Sequence, residues 1–142
     1  MKISSIILFL LTLTTFSCKK EGTTTDAKKL EGNWKVTSYI FDGNEVIDDL
    51  QSFIYNFGAY NSASNEGIVT TTTVEGTGDT VTSQSTYTVN DSSNTLTITS
   101  EDIITGDTYE DIVNYDIAGD QLTLEGNLHG TALEYTIVAD KQ

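Results

Sequence analysis

Arginine is absent from this chain of 142 residues, and cysteine, histidine and tryptophan occur once each. The seven basic residues are all lysine and face 21 acidic ones, for a formal net charge of −14. Such a surface repels phosphate backbones and anionic lipid headgroups, which disfavours nucleic-acid binding and polybasic docking on a membrane. A single cysteine cannot close an internal disulfide. The one histidine, His129 in "GNLHG", has no second histidine or second thiol with which to share a metal. The acidic pairs Asp48–Asp49, Glu101–Asp102 and Glu110–Asp111 lack the alternating oxygen ligands of a calcium loop, and no Gly-x-Ser-x-Gly elbow occurs. No metal or cofactor is expected, and the chain reads as a non-enzyme. What remains, 37% hydrophobic and 20% charged, suits one globular domain.

Long apolar runs are scarce too. The one present lies at the start: Lys2, the apolar stretch 3–16, then small Ser17 before Cys18, the pattern of a secretory signal peptide. It is shorter than the roughly 20 residues that cross a bilayer as a helix. The alternative, a buried amino-terminal helix or strand, does not explain why the run stops at Ser-Cys and a lysine- and threonine-rich stretch follows. Thr15-Phe16-Ser17-Cys18 resembles the bacterial lipobox, in which the cysteine becomes the mature amino terminus and carries lipid. That resemblance implies a signal peptide over 1–17 and an acylated Cys18 anchored in the cell envelope of a Gram-negative bacterium. The outer membrane is the expected site, at its periplasmic face or at the cell surface. Two or more acyl chains hold a protein stably where one binds marginally. Residues 18–29 then read as the acylated cysteine and a flexible polar tether. Lys19, Lys20 and Glu21 are either a short surface-sorting signal or ordinary solvated linker.

From Leu30 onward apolar and polar residues alternate, broken by "DGN", "GTGD", "NDSSN", "TGD", "AGD" and "GNLHG". Alternation with frequent turn residues is the signature of half-buried antiparallel strands in hairpins. Eight are expected, over about 33–41, 52–58, 66–75, 80–89, 95–100, 107–117, 121–126 and 131–139. One face collects Trp34, Val36 and Ile40, then Phe53, Tyr55 and Phe57, then Ile68 and Val74, then Val81, Tyr87 and Val89. It continues with Leu96, Ile98, Tyr109, Val113, Tyr115, Ile117, Leu122, Leu124, Leu133, Tyr135 and Ile137. A meander with one apolar face packs as two sheets or closes on itself, and closure removes the sticky edges. Val46, Ile47 and Leu50 fall at helical spacing within 44–52, where the choice is between a short helix over one end and a plain loop.

"LEGNWKV" at 30–36 places Gly32 and Trp34 at the start of the first strand. With "FIYNFG", "STYTVNDSSNTLTIT" and "YDIAGDQLTLEG" downstream, the stretch 30–142 resembles the lipocalin-like domains of bacterial lipoproteins. The resemblance implies an all-β, eight-stranded antiparallel up-and-down barrel, with the short helix after the first strand left as one of the two readings of 44–52. It also implies that Gly32 and Trp34 form the barrel base, commonly with a last-strand arginine across the indole, which this chain does not have. Tyr55, Tyr87, Tyr109, Tyr115 and Tyr135 share the inward parity, and a buried hydroxyl needs a partner. They either line a lumen that holds a small amphipathic ligand or reach solvent at the rim. With no inward lysine or arginine, the ligand is expected to be neutral or weakly polar, entering at the end covered by 44–52. The second reading is a solid barrel whose threonine-rich exterior binds a protein or glycan.

Overall fold

The computed structural model describes residues 25–102 and 104–142. The expected signal peptide, Cys18, Lys19, Lys20 and Glu21 lie outside the described residues. Among the described residues nine strands follow one short α-helix, α1 (Thr25–Leu30). They are β1 (Gly32–Phe41), β2 (Asn44–Glu45), β3 (Leu50–Phe57), β4 (Gly67–Glu75), β5 (Thr80–Asn90), β6 (Thr95–Glu101), β7 (Thr108–Ala118), β8 (Gln121–Asn127) and β9 (Glu134–Lys141). β2 is only the return arm of a tight hairpin onto the end of β1. The other eight pair antiparallel in chain order, and β9 pairs back onto β1, so the sheet closes into an eight-stranded barrel. The short helix expected within 44–52 is a single 3-10 turn, Ile47–Asp49. β2 takes Asn44 and Glu45 at one side of it, and β3 begins at Leu50 on the other.

Trp34, Phe57, Tyr87, Leu96, Val113, Leu122 and Leu124 are fully buried, as period-two alternation requires of the inner face. Two strands depart from the expected parity. In β1 the pairing to β9 shifts between Val36↔Ala139 and Ser38↔Val138, so Thr37 is an extra residue, a β-bulge. One added residue exchanges the two faces. Tyr39 therefore packs against the core, and Ile40, expected inside, faces out. The Glu45 carboxylate holds this irregularity, accepting from the Ser38 hydroxyl at 2.6 Å and the Tyr39 N–H at 2.7 Å. Those bonds, the Ser38 hydroxyl foremost, keep the Glu45 carboxyl below its ordinary pKa. In β4 it is Val69 that is buried, while Ile68, expected inside, is 48% exposed. Val81, Tyr109 and Leu133 keep the inward parity, but they lie at or just beyond strand ends and are exposed.

The tether expected up to residue 29 is also corrected. Thr25–Leu30 is α1, with Ala27 and Leu30 buried, so the folded unit reaches back at least to residue 25. Six residues cannot hold a helix alone, and tertiary contacts supply the stability. The Trp34 indole N–H donates to the Leu30 carbonyl at 2.6 Å. The Lys141 ammonium donates to the Lys29 carbonyl at 2.8 Å and sits 5.0 Å from the centre of the Trp34 ring. Two carbonyls left over at the end of the helix are thereby satisfied. Lys141, expected past the last strand, belongs to β9 and pairs directly with Trp34. It takes the place across the indole that the resemblance gives to an arginine. Gly32 sits at φ 117°, a backbone conformation that favours glycine.

Candidate functional site

The barrel has unlike ends. At the base, α1 and the loop 58–66 fold over the opening. At the other end, the mouth, the Ile47–Asp49 turn and the β4–β5, β6–β7 and β8–β9 connections surround a cavity of about 210 Å³ in the lumen. Its walls differ in chemistry. Tyr39, Phe53, Tyr55 and Tyr135 form an aromatic side, with Phe53 at 4.9 Å from Tyr55 and 6.0 Å from Tyr39 between ring centres. Thr71, Ser83, Ser85 and Ser100 form a hydroxyl side, closed by the Thr71–Ser83 and Ser85–Ser100 hydrogen bonds at 2.5 and 2.8 Å. Val69, Ile98, Leu128 and Ile137 fill between them, and one carboxylate, Asp111, faces the same space. Among the described residues no lysine lines it.

Of the five tyrosines expected to share a ligand site, the structure brings two together, Tyr55 and Tyr135. Tyr87 is buried at the base, its hydroxyl donating to the Gly58 carbonyl at 3.0 Å and its ring packed on Phe57 and Tyr60. Tyr115 also turns to the base, where its hydroxyl reaches the Asp26 and Asp91 carboxylates at 3.2 and 3.3 Å and ties α1 to the barrel wall. Tyr109, near the start of β7 and directly opposite Ser100, is 40% exposed and is not among the residues that line the cavity. Burial raises the pKa of Tyr39, Tyr55 and Tyr135 above the ordinary phenol value, so these hydroxyls stay neutral into alkaline solution. The Tyr87 hydroxyl is pushed up to about 12, mainly by burial. Besides Phe53 and the aliphatic residues, none of them foreseen as ligand contacts, the lining adds Tyr39, hidden by the bulge, and the polar inward residues Thr71, Ser83, Ser85, Ser100 and Asp111. All of these except Tyr39 and Thr71 follow from the parity of β5, β6 and β7 once polar residues are allowed inside.

A second depression, about 320 Å³, lies on the outer face of β4, β5 and β6 around Ile68, Gln84, Thr86, Thr99 and Thr108. It belongs to the threonine-rich exterior. Among the described residues no group of three or more His, Cys, Asp or Glu side chains is placed to hold a metal, and no helix is long and apolar enough to cross a membrane.

No protein-family model and no curated protein matches the chain. Solved structures do match it. A redesigned β barrel is similar with a TM-score of 0.59 at 15% identity, over 82% of this chain and 94% of that one. A de novo designed fluorescence-activating β barrel gives 0.52 at 11% identity, over 82% and 96%. EF1p2_mFAP2b bound to DFHBI gives 0.51 at 13% identity, with the same coverage. At these identities the likeness is one of fold: a small closed barrel.

Proposed function

We propose that this chain is a non-catalytic lipoprotein of the cell envelope, whose lipocalin-like barrel holds a small, largely apolar, neutral or weakly polar molecule in its lumen. The observation that carries the reading is the mouth cavity, about 210 Å³ with aromatic walls and no lining lysine. A core built only for stability would be filled, since interiors pack as densely as organic crystals. The volume exceeds the roughly 150 Å³ of an engineered cavity that takes up benzene and falls short of the roughly 300 Å³ where drug-sized pockets begin. It suits one ring with a short substituent. The solved barrels that resemble this one include a fluorescence-activating design and one bound to DFHBI, which supports small-molecule binding by a barrel of this fold. Lys141 on Trp34, in the position of the family's arginine, supports the lipocalin-like assignment.

Calorimetric titration of the full chain with single-ring neutral ligands and with fatty acids tests the ligand reading. Heats are expected for the neutral set and none for the fatty acids, whose carboxylate would meet Asp111 and, among the described residues, no lysine. Trp34 is a poor reporter because it sits at the base. Absence of binding by every neutral ligand would favour the second reading, a surface module for a protein or glycan, for which the outer depression beside exposed Ile68 is the specific observation. The anchor rests on Ser17-Cys18 and is tested separately. Cys18→Ser is expected to abolish acyl labelling and release the protein from the membrane fraction. Equal labelling of the variant would refute it.

A further inference from the structure

We propose that the lumen's ligand carries a protonated amine, held between the Asp111 carboxylate and the faces of Tyr39, Phe53, Tyr55 and Tyr135. The proposal rests on the lumen-binding reading and extends its ligand class in one direction, from neutral molecules to small organic cations.

The starting observation is an inverted pair on β7. Asp111 faces the cavity while its neighbour Ile112 faces solvent, 65% exposed. Exchanging the two would give an ordinary apolar interior and a polar surface, so the pattern is broken at this point against the preference for burying isoleucine. Natural sequences break such local rules at functional sites. Asp111 is directly opposite Ile98 on β6, one inward position along from Ser100, so the carboxylate and the hydroxyl wall are neighbours. Across the lumen Tyr39, Phe53 and Tyr55 line the cavity together, with the Phe53 ring at 61° to Tyr39 and 34° to Tyr55. An array of ring faces around a cation is the arrangement that binds substituted ammonium groups.

The charge pattern selects the sign of the ligand. Asp111 is the only formally charged side chain among the described residues lining the cavity. After burial, its field is among the influences that keep Tyr55 and Tyr135 protonated. Asp111 is already engaged within the protein. A carboxylate has about four acceptor positions in all, so an ammonium would share Asp111 with that partner. The remaining donors of the ammonium would meet Ser85 and Ser100, and the apolar body would lie against the rings. The overall charge of −14 draws cations toward the molecule from any side.

The test is calorimetry on the full chain at neutral pH with three probes of equal size: 2-phenylethylamine, 2-phenylethanol and phenylacetate. The amine is expected to bind at least tenfold more tightly than the alcohol, and phenylacetate to give no heat. Asp111→Asn is expected to abolish the preference, so that amine and alcohol bind the variant with affinities within about threefold of each other. If the alcohol binds as well as the amine, or if Asp111→Asn keeps the amine preference, the proposal is overturned and the lumen reading stands. If neither binds, both are overturned. Should Asp111→Asn fail to fold, Phe53→Leu carries the same test, since it removes a ring face and no hydrogen bond. It is expected to weaken the amine at least threefold more than the alcohol, and an equal loss for both would count against the cation.

Discussion

Trp34→Ala is expected to lower the unfolding free energy by about 3–5 kcal/mol, the range for deleting a large buried aromatic side chain. The indole is fully buried and does three things at the base: it fills the space inside the first strand, donates to the Leu30 carbonyl, and lies under Lys141. Alanine removes all three, so α1 loses both its packing surface and one of its two terminal carbonyl partners. Trp34→Phe separates the contributions. It keeps most of the buried ring but leaves the Leu30 carbonyl without its donor, which costs about 1–3 kcal/mol where water cannot replace it. Urea unfolding reads both as shifts in midpoint at unchanged slope. A loss below about 1 kcal/mol for the alanine variant would mean that the base is far less tightly packed than its burial implies.

That arrangement was half legible in the sequence, and the reason is instructive. Gly32 and Trp34 announce the first strand because a lone tryptophan after a glycine, followed by alternating residues, has few other readings. The resemblance implies an arginine across the ring, which the chain lacks. Asp140, Lys141 and Gln142 look like a polar tail, whereas pairing to β1 carries β9 through Lys141. The segment before Trp34 reads as a tether for a similar reason. Lysines and threonines dominate its composition, and the two residues that matter, Ala27 and Leu30, are one helical turn apart and find their partners only in three dimensions.

The eight barrel strands themselves were plain, since period-two alternation and turn residues are local signals. Faces were less secure than strands. A bulge such as Thr37 changes no composition, yet it swaps Tyr39 and Ile40 between the core and solvent. In β4 the run Thr70-Thr71-Thr72-Thr73 carries no polarity difference between faces, and Ile68 beside Val69 gives either answer. Pairing decides it: Tyr55 opposite Thr71 and Phe57 opposite Val69 place the odd positions inside. Asp111 was readable, because Tyr109, Val113 and Tyr115 fix the parity of β7. Only the expectation that acids face water concealed it.

Gly67→Ala is the second large effect, and its sign depends on one neighbour. Gly67 and Tyr87 are directly opposite on β4 and β5, and the Tyr87 ring lies over the glycine, so a Cβ there would overlap the ring and its hydroxyl. Glycine inside a strand is ordinarily a weakness, and an aromatic residue laid across it from the next strand covers the exposed backbone. The ring cannot move aside freely. Its hydroxyl is bonded to the Gly58 carbonyl, its edge meets Phe57 at 5.1 Å between centres, and Tyr60 covers it at 5.6 Å. Adding one methyl group is therefore expected to cost about 1–3 kcal/mol, as overpacking does. In a Tyr87→Leu background the obstruction is gone, and alanine in a strand is more favourable than glycine by about 0.5–1 kcal/mol. The same substitution should then stabilise. A double-mutant cycle by urea unfolding measures the reversal directly. A cost for Gly67→Ala that is unchanged by Tyr87→Leu would show that backbone conformation, and not the tyrosine ring, requires glycine at this position.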